Sequence, residues 1–131
     1  MASVIDNMGL LAPMLTAPRA IGLVAVAWSP WHRQSRAVLD SLESAQQQWS
    51  PGRPVDFYIL WPEKDAELNR WYENLCREKY PRFELHGHGY APLWWLVRGH
   101  VIDCLIKPYQ TRLETLQQRS VKAFQTSEIR D

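Results

Sequence analysis

His32 and Ser35 are the residues whose types and spacing best suit chemistry. If a helix begins near residue 31, their i, i+3 separation puts both on one face of its first turn. The positive end of the helix dipole favours a neutral imidazole, and a neutral imidazole beside a hydroxyl is the minimum for a base and its nucleophile. No third group to orient the imidazole is identifiable, so replacement polar residues capping a helix start are the plainer reading. His86-Gly87-His88-Gly89 adds two imidazoles that the chain could bring near His32. Three imidazoles can hold zinc or copper. A His-x-His pair in a glycine loop is, however, the pattern of a solvated turn, and no cysteine or carboxylate is placed to help. No metal and no cofactor is therefore expected. Cys76 and Cys104 form no CxxC pair. Both lie in apolar patterns and read as buried structural thiols, with a disulfide between them left open.

The elements that must position these residues alternate. A short strand over residues 2–5 precedes a helix over 6–15 with Asp6 as its cap. Residues 21–28 form a continuous β-rich apolar run, the pattern of a strand covered on both faces. A helix follows over 31–48, with Val38, Leu42, Ala45 and Trp49 as its buried stripe. After the turn cluster Ser50-Pro51-Gly52-Arg53-Pro54 comes a second buried strand, 55–61, stopped by Pro62. Asp65 caps a helix over 65–79 that buries Leu68, Trp71, Tyr72 and Leu75. Residues 93–98 and 101–107 pair as a hairpin turning at Gly99-His100, read as type II′. Pro108 opens a last helix over 109–124 with Leu113, Leu116 and Val121 inward, and a polar tail occupies 125–131. This order predicts one α/β domain over 1–124, a mixed sheet with helices on both faces.

Composition narrows the function. A chain of 131 residues with a formal charge of +1 and interspersed signs has no broad electrostatic footprint for nucleic acid or a membrane surface. No stretch approaches the length of a membrane-spanning helix. The apolar start lacks a basic n-region and is interrupted by Asp6, Pro13 and Pro18, so it does not read as a signal peptide, and the cytoplasm is the default location. Seven tryptophans are the compositional oddity. Each indole N–H needs a partner when buried, so some are expected at a cleft rim. Trp94 and Trp95 must point to opposite faces of their strand. Arg33, Arg36 and Arg19 could make a small basic rim, although solvated charge is the plainer reading.

Trp28-Ser29-Pro30-Trp31-His32-Arg33-Gln34-Ser35-Arg36 resembles the thioredoxin active-site segment, Trp-x-x-Trp-Cys-x-x-Cys-Lys, at the expected strand-to-helix junction. His32 and Ser35 stand where the two thiols would be, and Arg36 keeps the positive charge. Tyr90-Ala91-Pro92-Leu93 is similar to the segment where thioredoxins place a cis-proline opposite that helix. The hairpin with its central glycine completes the likeness, which covers residues 3–124. The resemblance implies a thioredoxin-like fold. The departures imply lost redox chemistry, since neither an imidazole nor a hydroxyl forms a reversible disulfide. Val26 stands where thioredoxins commonly keep a buried aspartate.

What remains implied is a groove for an extended protein or peptide, lined by Trp31, His32, Ser35, Tyr90, Ala91 and Pro92, with Trp61 as a further anchor. The expected protein is a redox-inactive binding, chaperone-like or assembly module, a monomer or homodimer. The alternative is a thiol-independent transferase or hydrolase using His32 and Ser35.

Overall fold

A computed structural model describes residues 3–25, 32–49, 55–79 and 91–128; of His32 and residues 47–49 it describes the backbone alone. The elements are β1 (Ser3–Ile5), α1 (Met8–Thr16), β2 (Ala20–Ala25), α2 (His32–Trp49), β3 (Val55–Leu60), α3 (Ala66–Lys79), β4 (Leu93–Val97), β5 (His100–Leu105) and α4 (Leu113–Ser127), with short 3-10 turns at Pro62–Lys64 and Pro108–Gln110. They form one five-stranded mixed sheet in the order β1-β3-β2-β4-β5. β1 and β2 run parallel to β3, whereas β4 is antiparallel to both β2 and β5.

Helices cover both faces. Leu39 and Leu42 of α2 and Leu116 and Ala123 of α4 pack on one side with Val24, Phe57, Ile59 and Trp95. Leu11 of α1 and Leu68, Tyr72 and Leu75 of α3 pack on the other with Ile21, Leu23, Leu60 and Trp94. The all-apolar β2 and β4 are buried along their whole length because they lie between helices on both sides. Trp94 and Trp95 part to opposite faces as strand alternation requires, and each finds a partner. Trp94 Nε1 donates to Tyr72 Oη at 3.3 Å, and Trp95 Nε1 donates to Ser120 Oγ at 3.0 Å. Gly22 in β2 is needed for a close approach. A Cβ there would lie 2.4 Å from Cδ1 of Phe57, whose ring lies over it.

Several local expectations shift. The cap of α1 is Asn7, whose side chain accepts from Leu10 N at 2.9 Å, and Asp6 is not the cap. The buried stripe of α2 is Ser35, Leu39, Leu42 and Gln46, with Val38 and Ala45 at its flank. Gln46 takes a core position because its amide donates to Val55 O and accepts from Val55 N, pairing the first residue of β3. The hairpin turns at Arg98-Gly99, both with positive φ, which is the requirement of a type I′ turn and not of II′. A register shift between Trp95 and Leu96 leaves Ile102 as an extra residue in β5. Pro108 opens the 3-10 turn, and α4 starts at Leu113, which is exposed, and runs through Ser127 beyond the expected end at Phe124. Both cysteines are free and buried. No helix among the described residues is long and apolar enough to cross a membrane.

Candidate functional site

Strand directions decide what meets at each end of the sheet. β1, β2 and β3 finish at the same end, and the antiparallel β4 begins there. The start of α2, the residue after β3 and the lead-in to β4 therefore converge. Ala25 pairs with Leu60, and Val24 with Leu93. Trp61 directly follows the last paired residue of β3, and Ala91 lies two residues before the first paired residue of β4, so both stand at this end of the sheet.

Ser35 joins two of these pieces. Its hydroxyl donates to the carbonyl of Ala91 at 2.8 Å, across 56 residues of sequence. Both residues are fully buried, and Pro92 beside them is buried too. A serine fits here because a buried hydroxyl with its proton committed to a carbonyl carries no uncompensated polar atom. The structure thus brings Ser35, Ala91 and Pro92 together. Ser35 lies on the inward stripe of α2. The Ala91–Pro92 bond is not cis: no peptide bond among the described residues is, and this expectation is corrected. Trp31, Tyr90, His86, His88, Trp28 and Val26, and the side chain of His32, lie outside the described residues. Among those described, no group of three histidine, cysteine or acidic side chains could hold a metal ion.

Trp61 follows β3 at this same end, where its N–H donates to Ile5 O at 2.8 Å. Trp61 is 38% exposed, and Lys64 Nζ sits 4.9 Å from the ring centroid. Such a cation–ring contact contributes about 0.5–1 kcal/mol at an exposed site. Sequence singled out Trp61 but not Lys64. Pro62, at the first position of the 3-10 turn, brings that lysine back over the ring.

Among the described residues, the first turn of α2 carries positive charge. It carries no acidic residue, and Arg33 and Arg36 form no ion pair with a described residue. Arg19 does not join them. It precedes β2 at the opposite end of the sheet and holds Asp56 through Nε at 2.7 Å and Nη2 at 3.1 Å, and that pairing raises its pKa.

Neither thiol reaches this end of α2. Cys76 of α3 and Cys104 of β5 belong to the cluster on the other face of the sheet, with Tyr72 and Trp94. Burial pushes the Cys76 thiol up to about 11, outweighing a hydrogen bond with Tyr72 that lowers it. The fully buried Tyr72 phenol is likewise pushed well above its usual value by desolvation.

No family model matches the chain, and no curated protein does. Solved structures do. A thioredoxin from Trypanosoma brucei brucei superposes with a TM-score of 0.60 at 9% identity, over 95% of this chain and 92% of that one. The Malassezia sympodialis thioredoxin Mala s 13 gives 0.57 at 12%, over 95% and 91%. Mitochondrial thioredoxin 3 from Saccharomyces cerevisiae gives 0.57 at 10%, over 92% and 94%. The chain has a thioredoxin fold. At such identities the likeness carries architecture alone.

Proposed function

We propose that this chain is a redox-inactive member of the thioredoxin-like class that binds a protein or peptide in the groove between the start of α2 and the Ala91–Pro92 lead-in to β4. The observation that carries it is the Ser35–Ala91 hydrogen bond. A buried hydroxyl occupies the inner position of the helix tip, and it cannot exchange a disulfide. The only two thiols of the sequence sit beneath the other face, one of them held protonated. Dithiol chemistry needs a thiolate at the helix start and a second thiol to resolve the mixed disulfide. Neither is supplied there. The exposed indole of Trp61 offers an anchor at the same strand ends. In this reading Trp31, His32 and Tyr90 line the remaining rim, and Ser35, Ala91 and Pro92 form its floor. The hydrolase or transferase alternative loses ground, because the hydroxyl it needs is buried and its proton is committed.

Two measurements test the reading. Insulin reduction with a dithiol reductant should run at the background rate; a protein-dependent rate abolished by Cys76→Ser or Cys104→Ser sinks redox inactivity. An affinity pull-down with the full chain should lose its partners on Trp31→Ala, Trp61→Ala or Pro92→Ala with folding intact. Retention of the same partners by all three variants sinks the groove.

A further inference from the structure

A second surface lies on the outward side of α2, away from Ser35. Ala37, Val38 and Ser41 form one wall of a cavity of about 200 Å³, and Thr111, Leu113 and Leu116 form the other. Leu116 is buried beneath it, while Leu113 stands 41% exposed at the start of a helix whose apolar residues otherwise face the core. The space far exceeds one water molecule and is lined mainly by apolar side chains.

Topology gives this cavity a charge direction. β5 is antiparallel to β4, which is antiparallel to β2, so β2 and β5 end on the same side of the sheet. α2 and α4 follow those two strands on the same face, so both helices begin at one mouth. The N-terminus of α4 lies at the cavity and adds positive potential. Arg33 is one turn before Ala37, Arg36 is beside it, and Arg112 is the N-cap residue of α4, with no side-chain capping bond. None of these three arginines forms an ion pair with a described residue. Glu114 is the acidic residue of the first turn of α4; the cavity walls themselves carry no charged side chain, and the three arginines and Glu114 flank them in sequence. Cations at helix starts cost stability, so these arginines are not placed there by the helix dipole. One turn beyond Ala37, Asp40 carries the opposite sign.

We propose that this cleft docks a short acidic segment of a partner protein, seating one apolar side chain on Val38, Leu113 and Leu116 and setting its carboxylates against Arg33, Arg36 and Arg112. The mode is that of an acidic motif read by an arginine cluster with an apolar anchor. It shares Arg33 and Arg36 with the start of α2 but does not use the Ala91–Pro92 segment.

Fluorescence anisotropy with the full chain tests it, using a labelled peptide in which Leu-Phe is flanked on each side by two glutamates, and a control with lysines in their place. The acidic peptide should bind with salt-sensitive affinity and the lysine peptide should not. Ala37→Arg, which fills the cleft from an exposed helical position, and Arg33→Glu should each weaken binding by about tenfold or more. Pro92→Ala should leave it unchanged. No binding of the acidic peptide at about 1 mM, or binding that Ala37→Arg leaves intact, overturns the proposal. Loss on Pro92→Ala alone overturns it in favour of the other groove.

Discussion

The carboxylate of Asp65 reaches Met8 across 57 residues of sequence: Oδ2 accepts the Met8 N–H at 2.7 Å, at the start of α1. Its other oxygen accepts the Glu67 N–H at 3.3 Å, at the start of α3. One side chain thus caps two helices on the same face of the sheet. Neither α1 nor its cap residue supplies a first-turn carboxylate of its own.

Asp65→Ala should therefore cost more than an ordinary single cap, about 2–3 kcal/mol against the usual ~1. Asp65→Asn, which retains an acceptor, should cost about half as much. Urea unfolding of the three proteins checks the order. Equal stability of Asp65→Ala and wild type would mean that water replaces both bonds without loss.

Removing the Ser35 hydroxyl leaves the Ala91 carbonyl buried without its donor. Ser35→Ala should destabilise by about 1–3 kcal/mol. Ser35→Cys, a weaker donor of similar shape, should fall between wild type and alanine. Denaturant midpoints separate the three, and a midpoint for Ser35→Ala equal to wild type would remove the bond from the account of how the helix tip is held.

Alkaline stability should follow the Cys76 thiol. Its folded pKa of about 11 lies above the ordinary value of 9.0, so the folded state keeps a proton that the unfolded state gives up. This contribution is fully present below pH 9.0 and is lost as pH rises towards about 11. The loss is on the order of 2 kcal/mol. Cys76→Ala should flatten the early part of that decline. The Tyr72 phenol, also raised by burial, maintains a fall at higher pH. Chemical unfolding from pH 8 to 11 on both proteins measures the difference, and parallel curves would count against a shifted thiol.

The continuous apolar runs of β2 and β4 announce strands buried on both faces, and the alternation separating Trp94 from Trp95 follows from the strand period alone. Ser35 and Gln46 are harder to read. Polar types ordinarily mark a solvated helix face, and these two lie inward because each satisfies a backbone group of a distant segment. Their burial rotates the stripe of α2 away from Val38 and Ala45. The same blindness hides the Met8–Asp65 bond, which depends on two chain segments meeting. The hairpin is visible in the sequence, yet its turn moves by one residue because Arg98 adopts a positive φ that its type disfavours. At the candidate site, sequence identifies Ser35, Ala91, Pro92 and Trp61. It has no means of finding that Ser35 faces inward.

The paired indoles of β4 act as a lock with two keys. Sliding this strand by one residue turns Trp94 and Trp95 each to the opposite face of the sheet, taking one ring from the phenol of α3 and the other from the hydroxyl of α4 in the same movement. Insertions or deletions in the connection between α3 and β4 must therefore be accommodated in that connection, because the strand cannot slip to absorb them. Variation in length is confined to the approach, and the threading of the sheet stays fixed.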